Sequence, residues 1–346
     1  MVKMHFESNN TDVSQIQKIS VIITAYNRIH FLPKAISSVL RQWNVDLIAE
    51  IIVVSNKDII FTKNLNNIKI RKIIMEGTMG NFLAEAIKSA TGDIMAFLDD
   101  DDMWEEDKIS RLSSIFSDGR IIFYHNLYSY IDDKGISIKY ARKVEKNNID
   151  SFNKALFFNP FSEPKQLKPA LERRADFNLS CIAVRKSLMC KYLDFLKNIT
   201  SAPDGFFFWV AAISGGHLFV DYIKLTKYRV HALNISGTLS NEKKVKELQR
   251  QIRTFKILLS LVNSSVGKTP MGNICTEWLQ LYISEYEVLA LTFNKGGKRN
   301  IARTLIGIIN NSNNIRNTLK YRAFGFGFLG VLNYKLARIV YEHFWK

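Results

Sequence analysis

The chain has 346 residues, of which 47% are apolar and 23% are charged, a composition typical of a packed globular protein with one large domain and an appendage, or two modest domains. Six prolines and 17 glycines exclude collagenous and low-complexity architectures, and no uninterrupted apolar window of about 18 residues is present to cross a bilayer. The formal net charge of +16 is concentrated in residues 240–346, which hold 17 Lys and Arg against six Glu and no Asp.

Residues 1–17 form a polar segment without the apolar core of a secretory signal, so we expect the chain to remain in the cytoplasm. Three scattered cysteines are too few for a disulfide framework or a zinc site, which agrees with a reducing compartment. The sequence ISVIITA at residues 19–25 is a β-branched apolar run that predicts a strand. A helix is predicted from Pro33, because proline suits the first helical turn.

This pattern of strand and helix recurs along the first third of the chain. Apolar runs predict strands at residues 50–55, 68–74 and 93–98, with helices over 81–90 and 105–116. Strands that alternate with helices pair in parallel, and the helices cover both faces of the sheet. Such sheets bind ligands beyond the carboxyl ends of their strands, so the residues that follow each strand are the candidates for a site.

After Arg120 the predicted order is looser. Strands are predicted at residues 121–131 and 135–141, a long polar loop at 145–177, a strand at 177–184, a buried helix at 205–215 and a strand pair at 217–231. Every segment beyond residue 240 has helical periodicity. We therefore predict an α/β fold with a mixed, mostly parallel sheet flanked by helices and an all-helical C-terminal region. The predicted divisions are an extension at 1–17, a main domain at 18–239 and a basic helical region at 240–346.

Four consecutive aspartates, Asp99, Asp100, Asp101 and Asp102, follow the apolar strand at 93–98. Adjacent carboxylates repel one another, so this arrangement needs solvent or a cation to relieve the repulsion. A hard divalent cation such as Mg²⁺ or Mn²⁺ takes one or two carboxylates and fills its other positions with water and substrate phosphate oxygens. The alternative is a helix amino end rich in Asp, which the helix dipole favours.

The order of these elements resembles family 2 of the inverting glycosyltransferases, which have the A-type nucleotide-sugar-binding fold. The resemblance covers residues 18–238. It rests on an ordered set of short segments, which are Val21 to Arg28, Ala35 to Leu40 with Gln42, Glu50 to Val54, Ala90 to Asp93, and Phe97 to Asp102 with Trp104. Each segment alone is a weak signal, whereas the ordered set is highly specific.

The resemblance implies roles for residues at the strand ends. Thr24 and Tyr26 would line the nucleoside pocket, and Asp99 would face the ribose. Asp101 would hold a metal that bridges the two phosphates of the donor, and Asp100 is counted with the donor-binding residues. A metal on the diphosphate oxygens neutralises the charge that develops as a nucleoside diphosphate leaves.

An inverting transfer also needs a carboxylate that takes the proton of the acceptor hydroxyl. Asp204 precedes an apolar helix that ends in glycine, which resembles the acidic motif of the family, and we predict it as this base. A helix cap is the structural alternative for the same residue. Tyr228 to His231 resembles the family's Tyr-Arg-x-His segment, in which His231 can complete the metal shell or touch diphosphate. Arg229 can meet phosphate through two hydrogen bonds.

The sequence departs from the family pattern at two places. Asn56 stands where the family usually has an acidic residue that reads the nucleobase, and its side-chain oxygen can still accept a hydrogen bond from a base N–H. Leu83 and Ala84 stand where the family commonly has Arg-Asn, so one phosphate contact must come from another residue.

The C-terminal segment at 321–346 is both basic and aromatic. Its apolar residues recur at helical spacing, and a helix of this kind can lie in the headgroup layer of an anionic membrane. We therefore expect this segment to bring the protein to the inner face of the cell membrane. A bundle packed on the main domain, or a dimer interface, would have the same pattern.

Together these features predict a metal-dependent inverting glycosyltransferase. It would use Mn²⁺ or Mg²⁺ and move a sugar from a nucleotide-diphosphate sugar, with a UDP-sugar favoured, to a glycan or lipid-linked saccharide. One alternative is a nucleotidyltransferase, which releases pyrophosphate. Another is a non-catalytic basic protein that binds membrane or nucleic acid, whose polyanion binding would survive loss of the acidic cluster. Of these partners, nucleic acid is not the one we expect.

Overall fold

A computed structural model of the chain describes residues 17–26, 29–59, 64–65, 68–138, 152–231, 240–294, 298–310 and 328. The strands are β1 (Ile19–Ala25), β2 (Ile48–Ser55), β3 (Asn64–Leu65), β4 (Ile68–Ile74), β5 (Ile94–Asp99), β6 (Met103–Trp104), β7 (Ile121–Ile131), β8 (Leu156–Phe158), β9 (Ile182–Arg185) and β10 (His217–Arg229). The helices are α1 (Leu32–Leu40), α2 (Met79–Ser89), α3 (Lys108–Phe116), α4 (Leu167–Glu172), α5 (Lys186–Met189), α6 (Leu193–Leu196), α7 (Pro203–Ala212), α8 (Asn241–Ser265), α9 (Pro270–Phe293) and α10 (Lys298–Asn310).

The described strands form one mixed, ten-stranded sheet in the order β3-β4-β2-β1-β5-β9-β7-β10-β6, with β8 paired to β10 outside that path. Strands β4, β2, β1 and β5 are parallel neighbours, and β7 pairs in parallel with β10. The short β9 runs antiparallel between β5 and β7. Strands β1, β5 and β10 therefore point the same way, and their carboxyl ends meet at one edge of the sheet.

Helices cover both faces of this sheet. All seven residues of β1 are buried. Because side chains alternate along a strand, Val21 and Ile23 enter one apolar core with α1 and α3, whereas Ile22 enters a second core with α2 and α7. The predicted α/β fold with a flanked, mixed sheet and a helical C-terminal region is confirmed.

Helices α8 and α9 form a hairpin that packs on the sheet domain. The second core, which holds Ile22, also contains apolar side chains of the hairpin, among them Phe255, Leu258 and Trp278. One continuous core therefore includes residues from both sides of the predicted boundary at 239/240. The boundary itself stays a prediction. The predicted membrane segment at 321–346 lies outside the described residues apart from Phe328.

Two predicted elements are wrong. The strand pair at 217–231 is a single strand, β10, whose register with β7 is irregular between Val220 and Thr226. The predicted polar loop at 145–177 contains β8 and α4 where the structure describes it. A third prediction was too long, because the strand predicted at 177–184 begins only at Ile182, after a turn of 3-10 helix.

Candidate active site

The acidic cluster lies at the carboxyl end of β5, in the turn that leads to β6. Asp100, Asp101 and Asp102 are 0%, 4% and 1% exposed, so water reaches these carboxylates hardly at all. One carboxylate oxygen from each of Asp99, Asp101 and Asp102 lies within 4.8 Å of the other two. The cluster therefore presents three converging oxygens, to which Asp102 contributes beside Asp99 and Asp101. The role of Asp100 in donor binding stays a prediction.

Burial of these acids is electrostatically unfavourable without a counter-charge. The pKa of Asp102 is raised well above its usual value by burial first, and then by the neighbouring charges of Asp101 and Asp99. Since solvent is excluded, a cation or protonation must relieve the repulsion. Oxygen ligands that converge in this way suit a hard divalent cation such as Mn²⁺ or Mg²⁺, so the residues present fit the predicted metal.

Arg229 contacts the acidic cluster through both its backbone and its guanidinium. Its backbone N–H donates to Asp102 Oδ1 at 2.9 Å, and its Nε–H donates to the Asp101 carbonyl at 2.6 Å. Its Nη1 donates to the carbonyls of Asp132 at 2.6 Å and Asp133 at 3.1 Å. The guanidinium is fully buried and lies over the ring of Phe31, so these contacts tie the acidic turn to the turn after β7. The contact with diphosphate predicted for Arg229 stays a prediction.

His231 lies directly beside the cluster. Its Nε2 is 3.0 Å from Asp101 Oδ2, and both side chains are almost fully buried. The ring also packs at 4.9 Å from that of Phe31. His231 therefore orients the Asp101 carboxylate in this structure, and its predicted role as a metal ligand stays a prediction.

Asp204 is the second residue of the apolar helix α7, directly after Pro203. The backbone N–H of Asn178 donates to Asp204 Oδ2 at 2.9 Å, and that of Gly205 donates to Oδ1 at 3.0 Å. Burial raises the pKa of Asp204 to about 6, and the charges of Asp176 and Asp99 act in the same direction, against the two hydrogen bonds. The carboxylate is therefore poised to exchange a proton near neutral pH.

The other end of the site is formed by the ends of β1 and β2. Thr24 Oγ1 donates to Asp99 Oδ1 at 2.9 Å, which couples the first strand to the acidic cluster. The Tyr26 side chain is 44% exposed and its ring lies 6.0 Å from that of Phe82, so it offers an open aromatic surface. The side-chain oxygen of Asn56 is buried and accepts no hydrogen bond from the described residues. It is thus available to a donor such as a base N–H.

Sequence reasoning missed a buried polar layer under the cluster. The carbonyl of Ser180 accepts hydrogen bonds from Trp104 Nε1 at 2.9 Å, Lys108 Nζ at 2.6 Å and Thr226 Oγ1 at 3.1 Å. The hydroxyl of Ser180 accepts from the backbone N–H of Asp99 at 3.0 Å. Burial lowers the pKa of Lys108 to about 7. Trp104 follows the acidic motif in the sequence, whereas nothing in the sequence pairs it with Ser180.

The sequence model of Glycosyl transferase family 2 matches residues 20–164. An uncharacterised glycosyltransferase of Nostoc sp. is 34% identical over 136 residues, which cover 36% of this chain and 40% of the relative. The Escherichia coli enzyme UDP-Glc:alpha-D-GlcNAc-diphosphoundecaprenol beta-1,3-glucosyltransferase WfgD is 28% identical over 163 residues, 42% of this chain and 64% of that protein. Residues 20–164, which carry the acidic cluster, thus match glycosyl transferase family 2.

Solved structures share the fold at low identity. S. aureus TarS 1–349 in complex with UDP-GlcNAc has a TM-score of 0.57 and 13% identity, with 94% of this chain and 91% of that chain covered. The mannosyltransferase PcManGT from Pyrobaculum calidifontis, in complex with GDP-Man and Mn²⁺, has a TM-score of 0.52 and 13% identity, with 96% and 88% covered. The fold is therefore of the A type predicted from the sequence. Among the curated relatives, the chain spans only 40% of the Nostoc protein and 23% of one from Rickettsia felis.

Within the described part of the chain, no helix combines the length and the apolar character that a bilayer crossing needs. The predicted cytoplasmic location stays a prediction.

Proposed function

We propose that the chain is a metal-dependent inverting glycosyltransferase that moves a sugar from a nucleotide-diphosphate sugar to a glycan or lipid-linked saccharide. The observation that carries the proposal is the convergence of the Asp99, Asp101 and Asp102 carboxylates at the carboxyl end of a central strand, with Asp101 and Asp102 almost closed to solvent. Converging carboxylates of which two are buried repel one another, and a bound cation relieves this repulsion while the acids stay ionised.

Asp101 and Asp102 would hold Mn²⁺ or Mg²⁺, with Asp99 and His231 adjacent. When bound, such an ion neutralises charge on the diphosphate leaving group. Thr24, Tyr26 and Asn56 would bind the nucleoside, since they lie at the ends of β1 and β2 on the same edge of the sheet. Arg229 would support the acidic turn and add positive charge beneath it.

Asp204 would act as the general base. In the proposed step the acceptor hydroxyl oxygen bonds to the anomeric carbon of the sugar while its proton passes to the Asp204 carboxylate. The bond from that carbon to the phosphate oxygen breaks, and its electron pair leaves with the nucleoside diphosphate. Attack from the face opposite the leaving group inverts the anomeric configuration.

The relatives support a UDP-sugar as donor. The name of WfgD gives UDP-Glc as its donor and a diphosphoundecaprenol-linked sugar as its acceptor. TarS was solved with UDP-GlcNAc, whereas PcManGT was solved with GDP-Man. A UDP-sugar and a lipid-linked acceptor are therefore the first substrates to test, with GDP-Man as the comparison.

A screen of UDP-Glc, UDP-GlcNAc and GDP-Man, with Mn²⁺ and with a chelator, tests this proposal. We expect one donor to raise the melting temperature with Mn²⁺ only, and to release its nucleoside diphosphate. Release of pyrophosphate from a nucleoside triphosphate would instead indicate a nucleotidyltransferase. Salt-sensitive binding to anionic vesicles or nucleic acid that survives Asp101→Asn, without any donor turnover, would indicate the non-catalytic alternative.

A further inference from the structure

The loop that holds Asp204 is itself held by the C-terminal helices. Asn178, whose backbone N–H donates to Asp204, follows Asp176 by two residues. The hydroxyl of Tyr282, in the middle of α9, donates to Asp176 Oδ2 at 2.8 Å. A continuous path of two hydrogen bonds and two residues of backbone thus joins the helical region to the proposed base.

The residues around the start of α7 are also held by contacts with the C-terminal helices. Thr254 Oγ1, on α8, donates to the carbonyl of Ser201 at 2.7 Å, and the Ser201 hydroxyl donates to Glu247 of the same helix. Phe255 packs against Gly205, where an added Cβ would lie 3.8 Å from the Phe255 ring. The chain on both sides of Asp204 is therefore fixed by contacts from α8.

Strain in the backbone is concentrated in these two segments. Among the described residues, the non-glycine residues with positive φ are Arg174 at 57°, Asn178 at 68° and Ala202 at 52°. Such conformations are unfavourable and persist only where surrounding contacts enforce them. Asn178 donates to Asp204 and Ala202 is the N-cap of its helix. The contacts from α8 and α9 therefore lie at the segments whose positive φ angles need support from neighbouring residues.

The ring of Tyr282 would stay in place without its hydroxyl. It stacks on Phe255 with the ring centroids 5.1 Å apart and the planes 11° from parallel. Replacement by phenylalanine keeps this stacking and removes only the hydrogen bond to Asp176. The substitution can therefore separate the support of the loop from the packing of the helices.

We infer that the C-terminal helical region is part of the catalytic apparatus, and that Tyr282 is a positioning residue which fixes the Asp204 carboxylate through Asp176 and Asn178. The inference rests on the proposed role of Asp204 as the base. On this inference α8 and α9 do more than complete the apolar core. If the loop that holds Asp204 were displaced, the proton acceptor would move relative to the attacking hydroxyl. A shift of about 1 Å at such a group lowers turnover severely.

The test compares turnover of wild type, Tyr282→Phe and Tyr192→Phe on the donor that the screen above selects, with water as acceptor. Tyr192 is the matched control, because its hydroxyl makes a hydrogen bond of 3.1 Å with Ser214 at the far end of α7. We expect Tyr282→Phe to lower kcat about tenfold with KM for the nucleotide sugar unchanged, and Tyr192→Phe to leave both unchanged.

The same substitution in an Asp204→Asn background separates positioning from general destabilisation. We expect Tyr282→Phe to have no further effect there, because the group that it positions no longer accepts the proton. Wild-type kcat in Tyr282→Phe, or an equal loss in both backgrounds, would overturn the inference. If Asp204→Asn keeps full activity, or if no donor is turned over, the proposed function fails and the inference with it.

Discussion

At the scale of single residues, the site depends on how burial changes the acids. Asp204 is partly buried and lies near two other carboxylates, Asp176 and Asp99, and burial first and then these charges raise its pKa to about 6. A base must be deprotonated to act. Hence the active form is lost as the pH falls through this value, and it is fully present only above it.

We therefore predict that kcat rises between pH 5 and pH 7 with a midpoint near the Asp204 pKa of about 6 and is flat above that range. Asp204→Asn should lower kcat by at least about 100-fold, because the amide cannot take the proton. Initial rates of nucleoside diphosphate release across this pH range measure both effects. A wild-type profile without this acid limb would contradict the assignment. Asp118→Asn is the control, because Asp118 precedes the amino end of β7, at the opposite edge of the sheet from the acidic cluster.

The acidic residues of the site can be identified from the sequence, but their burial cannot. Four aspartates after an apolar strand are visible in the sequence, and they indicate a cation site. Whether Asp100 or Asp102 joins the converging set depends on the turn between β5 and β6, and this turn is set by the Arg229 contacts with residues more than 100 positions away. The contacts of Ser180 and Asn178 also join residues that are apart in sequence, 81 positions for Ser180 with Asp99 and 26 for Asn178 with Asp204, so no local pattern predicts them.

At the scale of secondary-structure elements, α2 approaches the main chain after α6 very closely. The backbone N–H of Gly80 donates to the Ile199 carbonyl at 3.0 Å. A Cβ at Gly80 would lie 2.0 Å from the Leu196 carbonyl oxygen and 2.4 Å from that of Ile199. Because both neighbours are backbone atoms, they cannot rotate away, and only glycine allows this approach.

We predict that Gly80→Ala lowers the free energy of unfolding by roughly 3 kcal/mol, because the helix must move off its neighbour. Gly119→Ala is the matched control, since an added Cβ there meets no atom within 4 Å. That variant should stay within about 0.5 kcal/mol of wild type. Chemical denaturation of the three proteins measures the difference, and equal stability of the two variants would refute the steric argument.

The elements that periodicity predicted well are the buried ones. Strand β1 and helix α1 have the apolar spacing of their environments, and both are found. The region of β10 is predicted as a strand pair, and in the single strand that is found Asp221 lies among the apolar residues. In the structure this acid is fully buried and paired with Arg111 Nε at 2.8 Å and the Tyr124 hydroxyl at 3.0 Å. Partners distant in sequence thus allow a charge inside a strand, which a local pattern cannot reveal.

At the scale of the whole molecule, the main domain and the helical region share a core. Phe255, Leu258 and Trp278 belong to the same apolar cluster as residues of β1, β5 and α7. The sequence predicts a change from mixed to helical periodicity near residue 240, and α8 begins at Asn241. It contains no signal that the two parts are joined, because the joining contacts are between side chains with ordinary helical spacing.

We predict that a fragment of residues 1–239 does not unfold cooperatively, since removal of α8 and α9 exposes the apolar face that they cover. A fragment of residues 1–310 is the reference, because it keeps every described member of that cluster. Calorimetry and binding of a hydrophobic dye compare the two fragments. A 1–239 fragment with a sharp transition at the temperature of the longer fragment would show that the helical region is dispensable for folding.

The central claim is that the carboxylates after β5 hold a divalent cation and, with it, the diphosphate of a sugar donor. Calorimetric titration of the nucleoside diphosphate that the donor screen selects, into wild type and Asp101→Asn with Mn²⁺ or a chelator, tests it most directly. We predict binding to wild type with Mn²⁺ only, and a loss of at least about tenfold in affinity in the variant, whose melting temperature without metal is retained. Equal affinity in the variant, or binding that the chelator leaves unchanged, would contradict the account.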